Sequence, residues 1–187
     1  MIIRILVLLA VMLFSNALHG KEIAGIDVPE TVTQSDGTLL QLNGAGIRSK
    51  LFFKIYVAQL YLAKKQSDVG ALLQEDSGRR IVMDFLYDKV EKETLTEAWD
   101  QGFEGNGSAA QLTDLAAQIT TFNSLFDMVK KGDQIVLDYI PGMGTTVFIR
   151  GEKKGTIEGK PINDLLLLIW LGDKPVSKTL RSEMLGG

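Results

Sequence analysis

The spacing of hydrophobic and polar positions changes several times along the chain, and each change predicts an element. Ser35-Asp36-Gly37 has the chemistry of a tight turn, and Leu39-Leu40-Gln41-Leu42 reads as a short strand that Asn43-Gly44 ends. "LFFKIYVAQLYL", residues 51–62, is aromatic and β-branched with alternation only partly kept, the pattern of a strand covered on both faces. Ser67 is placed to cap a helix through Ala71, Leu72 and Leu73 that ends near Ser77-Gly78. In "RRIVMDFLYDKV", residues 79–90, Ile81, Met83, Phe85 and Tyr87 alternate onto one face, and Val82, Asp84 and Leu86 onto the other.

Helical spacing then takes over. "KETLTEAWDQGFEGN", residues 92–106, places Leu95 and Trp99 one turn apart. The longest predicted helix covers residues 109–133, where Leu112, Leu115, Ile119, Phe122, Phe126 and Val129 step by three or four. Lys130 and Lys131 suit its C-terminal dipole and Gly132 is its stop. Residues 133–160 return to strands as a meander, with turns at Pro141-Gly142-Met143-Gly144 and Gly151-Glu152-Lys153-Lys154-Gly155. Pro161-Ile162-Asn163-Asp164 opens an apolar helix ending at Gly172, and Val176–Leu185 gives a last short one. Strands in antiparallel groups with helices between them predict an α+β fold: a large antiparallel sheet with helices over one face.

The first twenty residues stand apart from this pattern. "MIIRILVLLAVMLFSNALHG" carries one charge, Arg4, before an apolar run from Ile5 to Phe14 and then small and polar residues. That is the layout of a secretory signal peptide, and the run is short for a membrane-spanning helix; an uncleaved anchor or a buried helix is the alternative. The reading is a leader over residues 1–20, cleaved near Ala17 or Gly20, a single domain over 21–187, and an exported, periplasmic protein with no transmembrane span after cleavage. "LLLLIWL", residues 165–171, is too short to span and reads as buried helix.

Composition removes several function classes. Losing residues 1–20 takes Arg4 from the 20 basic residues, leaving 19 against 23 acidic ones and a net charge of -4. No run of one sign interleaves with aromatics, so nucleic acid is not an expected partner, and the overall charge also argues against anionic membrane surfaces. Cysteine is absent and the single histidine, His19, falls in the leader. The remaining chain has no His or Cys for a nucleophile system, a zinc site of the usual ligands or haem ligation. No cofactor or metal is expected.

One stretch raises a chemical question. "GAGIRSKLFFKIYVAQLY", residues 44–61, sets Arg48 behind a Gly-x-Gly segment that reads as a flexible turn, at the lip of an apolar strand. A guanidinium near apolar walls needs a partner, and its planar fork suits a carboxylate or a phenolate oxygen. One answer is internal: an ion pair with Asp84, Asp88 or Asp138, or capping of carbonyls at the sheet edge. The other is a ligand anion, with Tyr56 adding a hydroxyl and Phe52, Phe53, Phe122 and Phe126 lining space for an apolar tail.

"LNGAGIRSKLFFKIYVAQLYL" together with the C-terminal "IWLGDKPVSKTLRSEMLG" resembles the chalcone isomerase-like superfamily, and most of all its secreted bacterial branch, over Val28 to Gly186. The resemblance implies an open-faced β-sandwich, and a group that holds both flavanone-forming isomerases and non-catalytic fatty-acid-binding relatives. The family arginine corresponds to Arg48. Where the isomerases carry a threonine this chain has Tyr56, and in "FLYDKVEKETL" Tyr87 and Lys89 stand one residue closer together than the enzymes' pair, with Glu93 in place of asparagine. The fatty-acid-binding relatives hold a carboxylate with an arginine and a tyrosine, a pair that Arg48 and Tyr56 match. Three readings follow. The first is a non-catalytic extracytoplasmic binding protein for a small amphipathic or fatty acid, gripped by Arg48 and Tyr56. The second is a cofactor-independent intramolecular lyase using Arg48, Tyr56, Tyr87 and Lys89. The third is a cell-envelope structural or interaction module.

Overall fold

Short strands separated by turn residues build the N-terminal part of the molecule. The computed structural model describes residues 20–187, so the expected leader and its Ala17 cleavage position lie outside the described residues. Lys21–Ile23 (β1) and Ile26–Val28 (β2) pair antiparallel around Ala24-Gly25, both at positive φ. Thr31–Thr33 (β3) pairs with the start of Leu39–Lys50 (β4), and β4 folds back onto Phe53–Leu62 (β5). After helix Val69–Gln74 (α1), strand Arg79–Phe85 (β6) lies against β5, and Lys89–Val90 (β7) leads to helix Lys92–Asn106 (α2). Helices Ala109–Asp114 (α3) and Ala116–Ser124 (α4) precede Val129–Lys130 (β8), which pairs with β7. The meander Gln134–Ile140 (β9), Gly144–Ile149 (β10) and Glu152–Ile157 (β11) then runs into helices Lys160–Leu171 (α5) and Lys178–Met184 (α6).

Seven strands form one antiparallel sheet in the order β11-β10-β9-β6-β5-β4-β3. Alternate residues of β5, β6 and β9 (Ala58, Leu60, Ile81, Met83, Ile135 and Leu137) bury against α2 and α5 in one hydrophobic core. Helix α5 is apolar almost all round because it lies within that core, with Leu165, Leu166, Leu167, Ile169, Trp170 and Leu171 all buried. The fold is therefore α+β, with the helices gathered on one face. The opposite face is not left bare: the β1–β2 hairpin packs Ile23, Ile26 and Val28 over Ala45, Val57 and Ile47. Beyond it this face carries a second small apolar cluster of Leu40, Tyr61 and Val82 with Val32, Leu42 and Val136, bordered by polar groups: Arg80 pairs with Asp138 at 2.8 Å, and the amides of Gln59 and Gln134 donate to Asp84.

Several predicted boundaries move. The 109–133 helix breaks at Leu115 and ends at Ser124, and Val129-Lys130 are strand residues, so the two lysines do not sit on a helix C-terminus. Thr113, Thr120 and Thr121 turn their hydroxyls back onto the carbonyls four residues earlier, a bond that weakens and bends helices. The apolar stripe survives the break because Leu115, Phe122, Phe126 and Val129 enter the same core whatever the backbone between them does. Asp68, not Ser67, caps α1 by accepting from the Ala71 amide, and α1 stops at Gln74. The β10–β11 turn lies at Arg150-Gly151, so Glu152–Gly155 are strand, and α6 starts at Lys178 rather than Val176.

The largest correction concerns Gly44-Ala45-Gly46. Neither a turn nor a strand end, it lies in the middle of the twelve-residue β4. A Cβ on Gly44 would collide with the backbone carbonyl of Glu183, and one on Gly46 with the Glu183 carboxylate, so the two glycines let α6 lie directly on the strand. Asn43, at a bulge in the β4–β5 register, fixes the crossing by donating to Met184 O at 2.8 Å and Gln66 O at 3.0 Å.

A cleft at the end of the sheet

Strand register brings the predicted residues together. Arg48 on β4 lies directly opposite Tyr56 on β5, and Tyr56 opposite Phe85 on β6, so the three side chains form a row on the helix-covered face. The Tyr56 and Phe85 rings pack with centroids 5.6 Å apart. Helix α2 passes over this end of the sheet without closing on it. A cleft of about 650 Å³ remains between them, within the usual range of small-ligand sites. Arg48, Tyr56, Tyr87 and Lys89 all line it, as do Phe53, Ile55 and Phe85 from the sheet side and Leu95, Trp99 and Gly102 from α2.

Arg48 is half-buried, and one of its N–H groups donates to the carbonyl of Ser49. It takes no part in the ion pairs found among the described residues. Asp84 and Asp138 point to the opposite face of the sheet and are held by Gln59, Gln134, Arg80 and Gln34. Glu183 lies on the same face as Arg48, two residues along β4, against Gly46; its Oε2 is buried and has no hydrogen-bond partner. Of the internal answers left open by the sequence, the ion pair with Asp84, Asp88 or Asp138 is not formed, and the carbonyl contact is, through Ser49 near the end of β4.

Tyr56 is 8% exposed, and its hydroxyl accepts a hydrogen bond of 3.1 Å from Nε1 of Trp170 on α5. The acceptor role leaves the phenolic proton free to be donated elsewhere. Burial pushes the hydroxyl above the ordinary tyrosine range, while the Trp170 bond and the nearby Arg48 charge pull it down. Tyr56 is therefore a neutral donor beside a cation. Trp99, 5.7 Å from Trp170 by ring centroids, borders the cleft with its own Nε1 buried and unpartnered.

The remaining candidates divide. Tyr87 is half-buried with its ring edge-on to Phe53, centroids 5.5 Å apart, and Lys89 is an exposed rim residue paired to Glu91 at 2.5 Å. Glu93 is exposed on α2 and does not line the cleft. Of the four phenylalanines expected around a tail, only Phe53 borders the cleft. Phe122 and Phe126 are locked with Trp99 and Phe103 in a closed aromatic cluster, and Phe52 projects into solvent. Trp170, Trp99 and the α2 wall were not identifiable as site residues from sequence. Trp170 sits in a run whose only signal is burial, and nothing in its spacing aims an indole N–H at Tyr56.

The family model for chalcone isomerase-like proteins matches residues 20–186. The chain belongs to that family. No curated protein matches the chain by sequence. Among solved structures, the chalcone isomerase-like chain resembles the fatty-acid binding protein AtFAP1 of Arabidopsis thaliana, with a TM-score of 0.63 at 18% identity, over 83% of this chain and 96% of that one. At that identity the likeness carries the fold, which agrees with the large antiparallel sheet and the helices over it. Among the described residues no helix is long and apolar enough to cross a membrane, and no group of three His, Cys, Asp or Glu side chains is gathered as metal ligands.

Proposed function

We propose that this chalcone isomerase-like protein is a non-catalytic binding protein for a small amphipathic or fatty acid, acting outside the cytoplasm. The observation that carries the reading is Arg48 on the cleft wall beside the neutral hydroxyl of Tyr56, with no carboxylate of the described chain paired to it. A ligand carboxylate can accept from the free N–H groups of Arg48 and from the Tyr56 hydroxyl, while its hydrocarbon lies along Ile55, Phe85, Leu95 and Ile169. The likeness to a fatty-acid binding protein supports this choice of ligand class, and the leader-like residues 1–20 support export. Native mass spectrometry of protein purified from its cells is expected to show a bound lipid-like acid. Apo protein alone, together with no uptake of added fatty acids, ends the reading.

A second reading rests on Tyr87 and Lys89, which border the same cleft as Arg48 and Tyr56. It is a cofactor-independent intramolecular lyase in which Arg48 steadies an attacking phenolate and a tyrosine hydroxyl polarises a conjugated ketone. A chalcone-cyclisation rate no higher than in buffer disposes of it.

A further inference from the structure

We propose that the tip of the β4–β5 hairpin docks this protein onto an anionic lipid surface, with the mouth of the cleft turned toward the lipid. Lys50 pairs with Phe53 across a two-residue turn, so Leu51 and Phe52 form the tip. Leu51 is 85% exposed, Phe52 98% and Phe53 55%, three consecutive large apolar residues in water. The other exposed large apolar residues among the described ones, Leu39, Met128 and Met143, stand singly, which needs no explanation. Fold economy does not account for the tip. Leu51 has φ 56°, at a turn position where glycine is the usual occupant and a leucine is strained. Neither burial nor turn geometry selects Leu-Phe there.

The charge around the tip identifies what it meets. Arg48, Lys50 and Lys54 flank it, and neither β4 nor β5 carries an acidic residue. Lys89 stands on the adjoining rim, paired to Glu91, and Glu91, just before α2, and Glu97 on α2 are the acidic residues lining the cleft. The overall charge of -3, which argues against an anionic surface, averages away this local excess. Apolar and aromatic side chains ringed by lysines match a lipid interface, where the tip enters the acyl boundary and the ammonium groups meet phosphates. A second copy of the chain would instead bring like charges together at the same ring.

Continuity with the cleft gives the contact a use. Lys50, Leu51 and Phe53 line the cleft mouth as well as forming or flanking the tip, so a docked tip sets the mouth at the headgroup level. That use, taking up or releasing an apolar acid without crossing water, rests on the proposed binding function; the docking itself does not.

Co-sedimentation with phosphatidylglycerol/phosphatidylcholine vesicles, against pure phosphatidylcholine vesicles, tests it. Wild type and variants are recovered from cells in the same way, so they share one N-terminus. The informative variants are F52S and K54Q, since neither side chain lines the cleft. Wild type is expected to partition at least tenfold more strongly to the anionic vesicles, with the preference lost in high salt. F52S should lower partitioning by more than about tenfold, and K54Q by about fivefold on anionic vesicles only. Unfolding temperature and fatty-acid uptake in vesicle-free solution should be unchanged in both. Equal partitioning to neutral and anionic vesicles, no partitioning at low salt, or an F52S variant that binds as wild type does each overturns the proposal. A solution dimer that F52S dissolves also overturns it, in favour of a second copy. Failure of docking leaves fatty-acid uptake unaffected, and failure of uptake leaves vesicle binding unaffected, so the two readings fall separately.

Discussion

Arg79 and Arg48 project from the same face of the same sheet and are treated in opposite ways. Arg79 lies opposite Leu62 and Arg48 opposite Tyr56, six residues apart along β5, or about 20 Å at the rise of a strand. Arg79 is 1% exposed and held from several sides. Asp164 takes one N–H at 2.7 Å and Asn163 another contact at 3.2 Å, the Glu75 carbonyl takes a third, and the guanidinium lies 5.5 Å from the centre of the Tyr139 ring. Lys160 shares Asp164 at 2.5 Å, so the network ties the start of α5 to α1 and to the sheet. Arg48 has the carbonyl of its own neighbour and a cleft. A buried guanidinium neutralised by its own chain is part of the architecture. One left unneutralised beside a neutral hydroxyl is a place for an external anion, and this difference separates scaffold from site.

The largest effect should come from breaking the scaffold side. Arg79→Ala leaves the Asp164 carboxylate with Lys160 alone and removes the bond to the Glu75 carbonyl at the end of α1, and is expected to destabilise the fold by about 3–5 kcal/mol. Thermal denaturation followed by circular dichroism should show a midpoint lower by about 10 °C. Arg48→Ala should do the reverse. With no ion pair to lose, stability should stay within about 0.5 kcal/mol of wild type, while affinity for a long-chain fatty acid falls about 10- to 100-fold by titration calorimetry. If Arg48→Ala unfolds the protein and Arg79→Ala does not, the assignment of the two arginines is inverted.

Legibility in the sequence followed the same division. The α+β sheet, α2 and the apolar α5 came directly from period and turn chemistry, because each of those segments buries one consistent set of side chains. Arg48 and Tyr56 came from the family motif and an argument about charge. What failed depended on contacts distant in sequence. Gly44 and Gly46 look like a turn until α6, some 140 residues later, is seen to lie on them. The 109–133 segment keeps helical spacing through a break set by back-bonded threonines and by pairing of Val129-Lys130 with Lys89-Val90. Phe122 and Phe126, whose helical spacing favours the core over a cleft wall, are committed to the core by Trp99 and Phe103.

The smallest expected effect sharpens the Arg48 side. Tyr56→Phe removes one donor to the ligand and leaves Trp170 Nε1 without its acceptor, so affinity should fall about fivefold and stability by about 1 kcal/mol. Its pH dependence separates this from generic loss of packing. Burial raises the Tyr56 hydroxyl above the ordinary value of 10.0, so the native state holds that proton more tightly than the unfolded chain does. The associated stability is fully present below about pH 10 and is lost as pH rises through the higher native value. Tyr61 and Tyr139 are raised by burial in the same direction and contribute equally to wild type and variant. The stability gap between wild type and Tyr56→Phe should therefore hold constant from about pH 7 to about pH 9 and narrow above pH 10, as wild type alone loses the Tyr56 contribution. Fatty-acid affinity of wild type should stay flat over the same neutral range, because the Tyr56 hydroxyl remains a donor. A drop in affinity below pH 9, accompanied by tyrosinate absorbance in wild type but not in Tyr56→Phe, would mean that the hydroxyl ionises readily. Tyr56 would then be no neutral donor, and the anion would be left to Arg48 alone.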